Sequence, residues 1–264
     1  MRTSPSRAQA RRRRRPEPGH RVGTRVARGF GQYSGVARAV ERVGERWALL
    51  IVRDLLAGAR RYSDLKASLP RIPTNILSDR LKELQEAGVV RRVPTVRGGY
   101  ELTDAGRALE PVVLALERWG WHVLGEPAEG EVVSADALAV SLHAAFRPEV
   151  ASALPPTEYV LHVGGASLSA VVAGAVLDVV PIGPGALPQP RRRTAVAAPE
   201  DVVELAVAPA GFRDLLAGAS VGPEDSPTVL AGPPALVARF GVTFCIEPAA
   251  PGDSGEAAGE ASVA

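Results

Sequence analysis

A chain of 264 residues is long enough for two modest domains, each with its own core, and its net charge of +2 hides a steep gradient. Residues 1–28 hold ten arginines and one acid, residues 29–128 fifteen cations and twelve acids, and residues 129–264 six arginines and sixteen acids, so the first half suits a polyanion and the second does not. A single cysteine, Cys245, excludes an intrachain disulfide, and no apolar run approaches the roughly 18 residues of a membrane span, so a soluble, cytoplasmic protein without membrane contact is expected.

Residues 1–28 bury too little apolar surface to fold and are expected to form a disordered basic arm. Two readings stand for it: a phosphate-binding tail that adds salt-sensitive, sequence-independent affinity, or an unselected extension ahead of the true start. From residue 29 onward the apolar spacing becomes regular. Val36, Ala37, Val40 and Val43 predict a first helix ended by Gly44, and Trp47, Leu50, Ile51, Leu55 and Leu56 a second ended by Gly58. Both glycines can take the left-handed conformation that stops a helix.

Tyr62 to Leu69 predicts a supporting helix, Pro70 to Pro73 a turn with proline at a first helical position, and Leu77, Leu81 and Leu84 the apolar stripe of another helix. Val89 to Val96, the Gly98-Gly99 turn and Tyr100 to Leu102 predict a β-hairpin carrying Arg91 and Arg92. Helix, turn, helix, hairpin is a winged helix-turn-helix, which lays one helix in the major groove of double-stranded DNA and a wing beside it.

At 100° per residue, Leu77, Leu81 and Leu84 fall in one narrow sector, and Asn75, Ser78, Asp79, Lys82 and Glu86 fall opposite. A groove-docked helix reads bases with its N-terminal residues, so Thr74, Asn75 and Ser78 are assigned to base edges and Lys82 to phosphate. Arg80, at the flank, either reaches a phosphate or pairs inside the domain. Asp79 either accepts from a cytosine amino group or pairs with a neighbouring cation. Arg91 and Arg97 of the hairpin complete the expected DNA-binding set.

After the hairpin, Thr103 is a good N-cap, Asp104 complements the positive helix end, and Pro111 should bend the helix that follows. That helix carries Leu109, Val112, Val113, Leu116 and Trp119, with Trp121, Val123 and Leu124 beyond. So much apolar surface needs cover. It is expected to form a homodimer interface with the first helix of each subunit, the alternative being packing against the C-terminal half of the same chain.

The phrase GQYSGVARAVERVGERWALLIVRDLLAGARRYSDLKASLPRIPTNILSDRLKELQEAGVVRR, followed by YELTDAGRALEPVVLALERWG, resembles the HxlR-type winged-helix regulators, relatives of the MarR group. The resemblance runs from Gly31 to about Gly120. It implies a dimeric, DNA-binding transcriptional regulator that reads its site with the helix near Pro73 to Ala87. The pattern is broken in two places. Family members often carry a sensing cysteine just before the first helix, and Ser34 stands there, which excludes thiol sensing at that position. The wing is also shorter than usual, ending in Arg97-Gly98-Gly99.

Residues 125–134 read as a linker, and Ala135 to Phe146 as an amphipathic helix. TEYVLHV, ASLSAVVA and AVLDVVPI are three strands of an antiparallel meander, broken at Gly164-Gly165 and Gly174. Asp201 to Val207 predicts a further strand, Phe212 to Leu216 and Pro233 to Phe240 helices, Val242 to Ile246 a last strand, and residues 249–264 a disordered tail. DVVELAVAPAGFRDLLAG and TVLAGPPALVARFGVTF resemble sterol-carrier-protein domains, in which strand and helices close over an apolar tunnel. That likeness implies a pocket for a lipid-like or aromatic molecule. Phe146, Leu177, Val179, Phe212, Leu216, Leu236 and Phe240 are candidates to line it, and each is also a candidate for ordinary core.

The expected architecture is therefore an α+β chain: an N-terminal winged helix-turn-helix over 29–124, then a sterol-carrier-like α+β sandwich over 135–248. No enzyme is expected. His20, His122, His143 and His162 share no metal-ligand spacing, Cys245 lacks a nearby basic partner, Gly164-Gly165 lacks the lysine of a phosphate loop, and no cofactor motif occurs. The expected function is a DNA-binding transcriptional regulator, a homodimer, controlled by an apolar small-molecule effector. The second reading is a lipid-like carrier whose winged helix serves protein contact.

Overall fold

The computed structural model describes residues 29–94, 98–182 and 201–247. The basic arm, Arg97 and the C-terminal tail lie outside the described residues. The first half opens with α1 (Gly35–Val43), whose N-terminus Ser34 caps by accepting from the Ala37 amide, and α2 (Ala48–Leu56). The two glycines that end these helices work differently from each other. Gly58 has φ +126°, as a left-handed stop requires. Gly44 stays right-handed at φ −78°, and it is required for space, because a Cβ there would lie 2.5 Å from the Val40 carbonyl oxygen.

A two-residue strand β1 (Arg60–Arg61), not anticipated from sequence, leads into α3 (Tyr62–Ser68) and α4 (Thr74–Glu86), with Pro73 as the N-cap of α4 and not its first turn. The hairpin is β2 (Val90–Val93) and β3 (Gly99–Leu102), and β3 lies between β1 and β2 in an antiparallel sheet. Ile51, Leu55, Leu65, Ile72, Leu77, Leu81, Leu84 and Leu102 fill the core with at most 1% exposure. Each contributes roughly 1.5–3 kcal/mol by leaving water.

Thr103 donates to the Gly88 carbonyl at 2.6 Å and caps α5 (Asp104–Arg107) by accepting from the Gly106 amide. Pro111 was expected to bend one long helix. The chain breaks instead, and α6 (Glu110–Trp121) restarts with that proline in its first turn, where its missing N–H costs nothing.

The second half holds α7 (Ala135–Ala145), α8 (Pro148–Ala151), β4 (Thr157–Val163), β5 (Ala166–Ala173), β6 (Val176–Ile182), β7 (Asp201–Val207), α9 (Pro209–Leu216), β8 (Thr228–Ala231) and α10 (Ala235–Thr243). The meander forms as expected, and the sheet order is β6-β5-β4-β7-β8, with β7 parallel to β4. Alternating residues of β4, β5 and β7 are buried on one face. The run Val242 to Ile246 is not a strand. α10 continues to Thr243, whose hydroxyl donates to the Arg239 carbonyl, and only Phe244 makes a bridge, to Phe146. A short apolar run fits a buried helix as well as a strand, and here the helix takes it.

The helix α7 is not amphipathic in the expected sense. Leu138, Leu142, Ala144 and Ala145 belong to the core of the second half, Val140 to the core of the first, and Asp136, Ala139 and Ser141 are buried too. Among the described residues, no helix is long and apolar enough to cross a membrane.

Candidate nucleic-acid interface

The helix α4 is held at its start by side chains from α3. Lys66 donates to the carbonyls of Pro70 and Ile72 at 2.8 and 2.9 Å, tying down the turn, and the Tyr62 hydroxyl donates to the Thr74 carbonyl at 2.8 Å. Leu77, Leu81 and Leu84 face the core, and Thr74, Asn75, Ser78, Asp79, Lys82 and Glu86 are exposed. Among the described residues, the C-terminal half leaves this polar side uncovered. The Ser78 hydroxyl donates to the Thr74 carbonyl at 3.1 Å, so it must let go of its own helix before it can donate to a base.

The cations of the interface divide into committed and available. Arg80 here takes the intramolecular one of its two alternatives: its guanidinium pairs with Glu83 and stands 3.5 Å from Glu45, with 17% of its side chain exposed. Arg91 is exposed but pairs with Glu101 across the hairpin, at 2.7 Å from Nε and 2.6 Å from Nη2. Among the described residues Lys82 has only a loose ion pair, 3.9 Å from Glu86.

Arg92, which sequence reasoning left out of the set, has no carboxylate partner among the described residues. It is held instead by Tyr100, donating to the hydroxyl at 2.9 Å with its guanidinium 5.0 Å over the ring. Together with Tyr62, Ser78, Lys82, Gln85 and Tyr100 it lines a cleft of about 460 Å³ between α4 and the wing. The cross-strand pairing of Arg92 with Tyr100 is the signal that could have found it, since both sit opposite each other once the hairpin register is set.

The apolar surface of α6 is shared between two neighbours' worth of space. Val113, Leu114, Glu117 and Trp121 turn inward toward α7, where Glu117 accepts from the Ser141 hydroxyl at 2.6 Å and Trp121 joins the second core. Val112, Leu116, Trp119 and Val123 form a second stripe that stays exposed, as do Phe30, Tyr33, Val36 and Val40 at and before α1. Among the described residues, intrachain packing thus takes one side of the helix and leaves the other bare.

In the second half, Phe212, Leu216, Leu236 and Phe240 are buried, while Phe146, Leu177 and Val179 sit half-buried at the margin of the same core. The rings meet each other: Phe240 lies 5.2 Å from Tyr159 and 4.8 Å from Phe244, Phe146 lies 5.9 Å from Phe244, and Phe212 meets Trp121 edge-on at 6.4 Å. On the opposite face of the sheet, His162 bridges the Ser167 hydroxyl and the Glu204 carboxylate, both at 2.8 Å. Among the described residues there is no group of three or more His, Cys, Asp or Glu able to hold a metal ion.

A helix with an exposed polar side next to a wing carrying two arginines is the arrangement of a winged-helix protein of the DNA-binding class. A family profile described as HxlR-like helix-turn-helix matches residues 42–127. The HTH-type transcriptional regulator YvaP of Bacillus subtilis is 44% identical over 86 residues, which make up 31% of this chain and 80% of that protein. Mb3122 of Mycobacterium bovis, of the same description, is 45% identical over 96 residues, which cover 35% of this chain and 60% of that protein. The structure of quinone-bound YodB from B. subtilis is 32% identical, covering 32% of this chain and 93% of that one, with a TM-score of 0.30. The chain belongs to the HxlR-like helix-turn-helix family, and it is a DNA-binding transcriptional regulator.

Proposed function

We propose that the chain is a homodimer that docks α4 of each subunit in successive major grooves, reads base edges with Thr74, Asn75 and Ser78, and anchors on phosphate through Lys82 and Arg92. The observation that carries this reading is the bare polar side of α4, facing away from both cores. The exposed stripe of α6 with the apolar side of α1 supplies the dimer surface, and a two-fold site with half-sites about one helical turn apart follows. Such a protein works where the chromosome is, in the cytoplasm.

The second half is read as a sterol-carrier-like domain for an apolar effector. The meander with helices on one face supports this, and so does the half-buried margin at Phe146, Leu177 and Val179, from which a ligand would enter. Effector binding would then shift a population between two arrangements of the dimer and so change DNA affinity.

Selection of bound duplexes from fragmented host DNA with the full chain tests the reading. A pseudo-palindromic site should be enriched, and Asn75→Ala should relax its base preference while leaving the salt dependence of binding intact. Recovery of random fragments, with no shared motif, would sink it.

A further inference from the structure

Three residues form one row across the wing sheet. Arg60 of β1 and Arg92 of β2 are both register partners of Tyr100 on the central strand β3, so their side chains share a face. At the solvent end of the row Tyr100 holds Arg92 by its hydroxyl and its ring. At the inner end Arg60 is 5% exposed and grips Asp136 with two nitrogens, Nε reaching Oδ2 at 2.9 Å and Nη2 reaching Oδ1. Its Nη1 donates to the Ala59 carbonyl at 3.0 Å. Burial works against the charge on Arg60, and the hydrogen bonds and field of Asp136, aided by Asp54 and Asp64, more than offset it.

Asp136 does not belong to the winged helix. It lies in the first turn of α7, whose N-cap is Ser134, and α7 is wedged between the two cores with Val140 in one and Leu138 and Leu142 in the other. A bidentate arginine–carboxylate pair fixes both distance and angle. Buried, it cannot slide without leaving a bare charge.

We propose that Asp136 is a positioning residue for DNA binding: through Arg60 and Tyr100 it fixes where Arg92 stands at the cleft beside α4. The helix α7 thereby becomes the part through which the C-terminal half sets the grip of the wing. The inference rests on the reading of that cleft as a phosphate site.

A double-mutant cycle on the full chain, bound to the duplex recovered by selection, tests it. Arg92→Ala and Asp136→Asn should each weaken binding by roughly tenfold, and together by little more than either alone, because the second change removes what the first has already disabled. Leu142→Ala, which loosens α7 in the second core and not in the core that holds Tyr100, should combine with Arg92→Ala additively. If Asp136→Asn does not fold, Asp136→Glu takes its place, moving the carboxylate by one methylene while keeping its charge, with the same non-additivity expected. Losses that simply multiply, or no loss from Asp136→Asn, overturn the positioning role alone. No loss from Arg92→Ala overturns the phosphate cleft and this inference with it.

Discussion

The indole of Trp121 donates to the Arg213 carbonyl at 3.3 Å, joining the last turn of α6 to α9 across ninety-two residues of sequence. Phe212 meets the same ring edge-on. Trp121→Ala should therefore destabilise the chain by about 3 kcal/mol, read as a drop in the urea midpoint. Trp121→Phe, which keeps the ring contact and loses the hydrogen bond, should cost about 1 kcal/mol. Equal, near-zero effects of both would show that the junction between α6 and α9 carries no packing energy.

The four cations near the cleft should separate by their partners. Lys82→Ala and Arg92→Ala should each lower DNA affinity and reduce the slope of log affinity against log salt by about 1. Arg91→Ala should do less, because Glu101 already neutralises that guanidinium in the free protein. Arg80→Ala should leave the slope unchanged and instead cost roughly 0.2–1 kcal/mol of stability through its lost pairs with Glu83 and Glu45. Salt titrations of the four variants check this, and a steeper loss for Arg91 than for Arg92 would reverse the assignment.

The side chain of Trp119 is 70% exposed on the outer stripe of α6. Trp119→Glu should convert a dimer to a monomer in sedimentation equilibrium and weaken operator binding, since two linked readers gain from effective concentration. Stability of the monomer fold should be nearly unchanged, because the side chain touches neither core. A variant that remains dimeric would place the interface elsewhere.

Acid should loosen the junction of the two halves. His143 on α7 is half-buried, and burial holds its pKa below the ordinary 6.5, with Glu110 of α6 and Asp178 of β6 pulling the other way. Below about pH 6.5 the unfolded chain takes up a proton that the folded chain resists, so stability falls as pH falls through that window and is fully present above it. His143→Gln should flatten that slope. Urea midpoints of both proteins at about pH 7.5 and about pH 5.5 check it, and an identical acid loss in the variant would assign the effect to other groups.

Much of this was legible in the chain itself. The three-leucine stripe at Leu77, Leu81 and Leu84 placed α4 and its polar side, and Gly164-Gly165 and Gly174 placed the turns of the meander; in the wing the first strand ends at Val93 and Gly99, read as turn, is already paired in β3. What could not be read was anything set by the other half of the chain. The run Ala135–Ala145 looks one-sided in sequence because polar Asp136, Ser141 and His143 suggest a wet face, yet each of them faces a partner or neighbour from the other elements. Arg60, with arginines on either side of the supporting helix, carries no local mark of being buried. Val242–Ile246 reads as strand or helix with equal ease. Arg80 is committed locally, by Glu83 one turn along α4, but the difference between Arg91 and Arg92 depends on Glu101 and a tyrosine ring across the hairpin.

The wedge of α7 between two cores also decides how this protein can be taken apart. A cut in the loop at residues 125–134 would strip Val140 from the first core and strand the guanidinium of Arg60, so a shortened protein that fails to bind its operator would report damage, not the loss of a sensor. A headpiece grafted elsewhere would therefore have to run to Ala145, the end of α7. Chimeras that graft this headpiece onto a foreign regulator must carry the helix along, with its sheet-facing leucines recoloured for water.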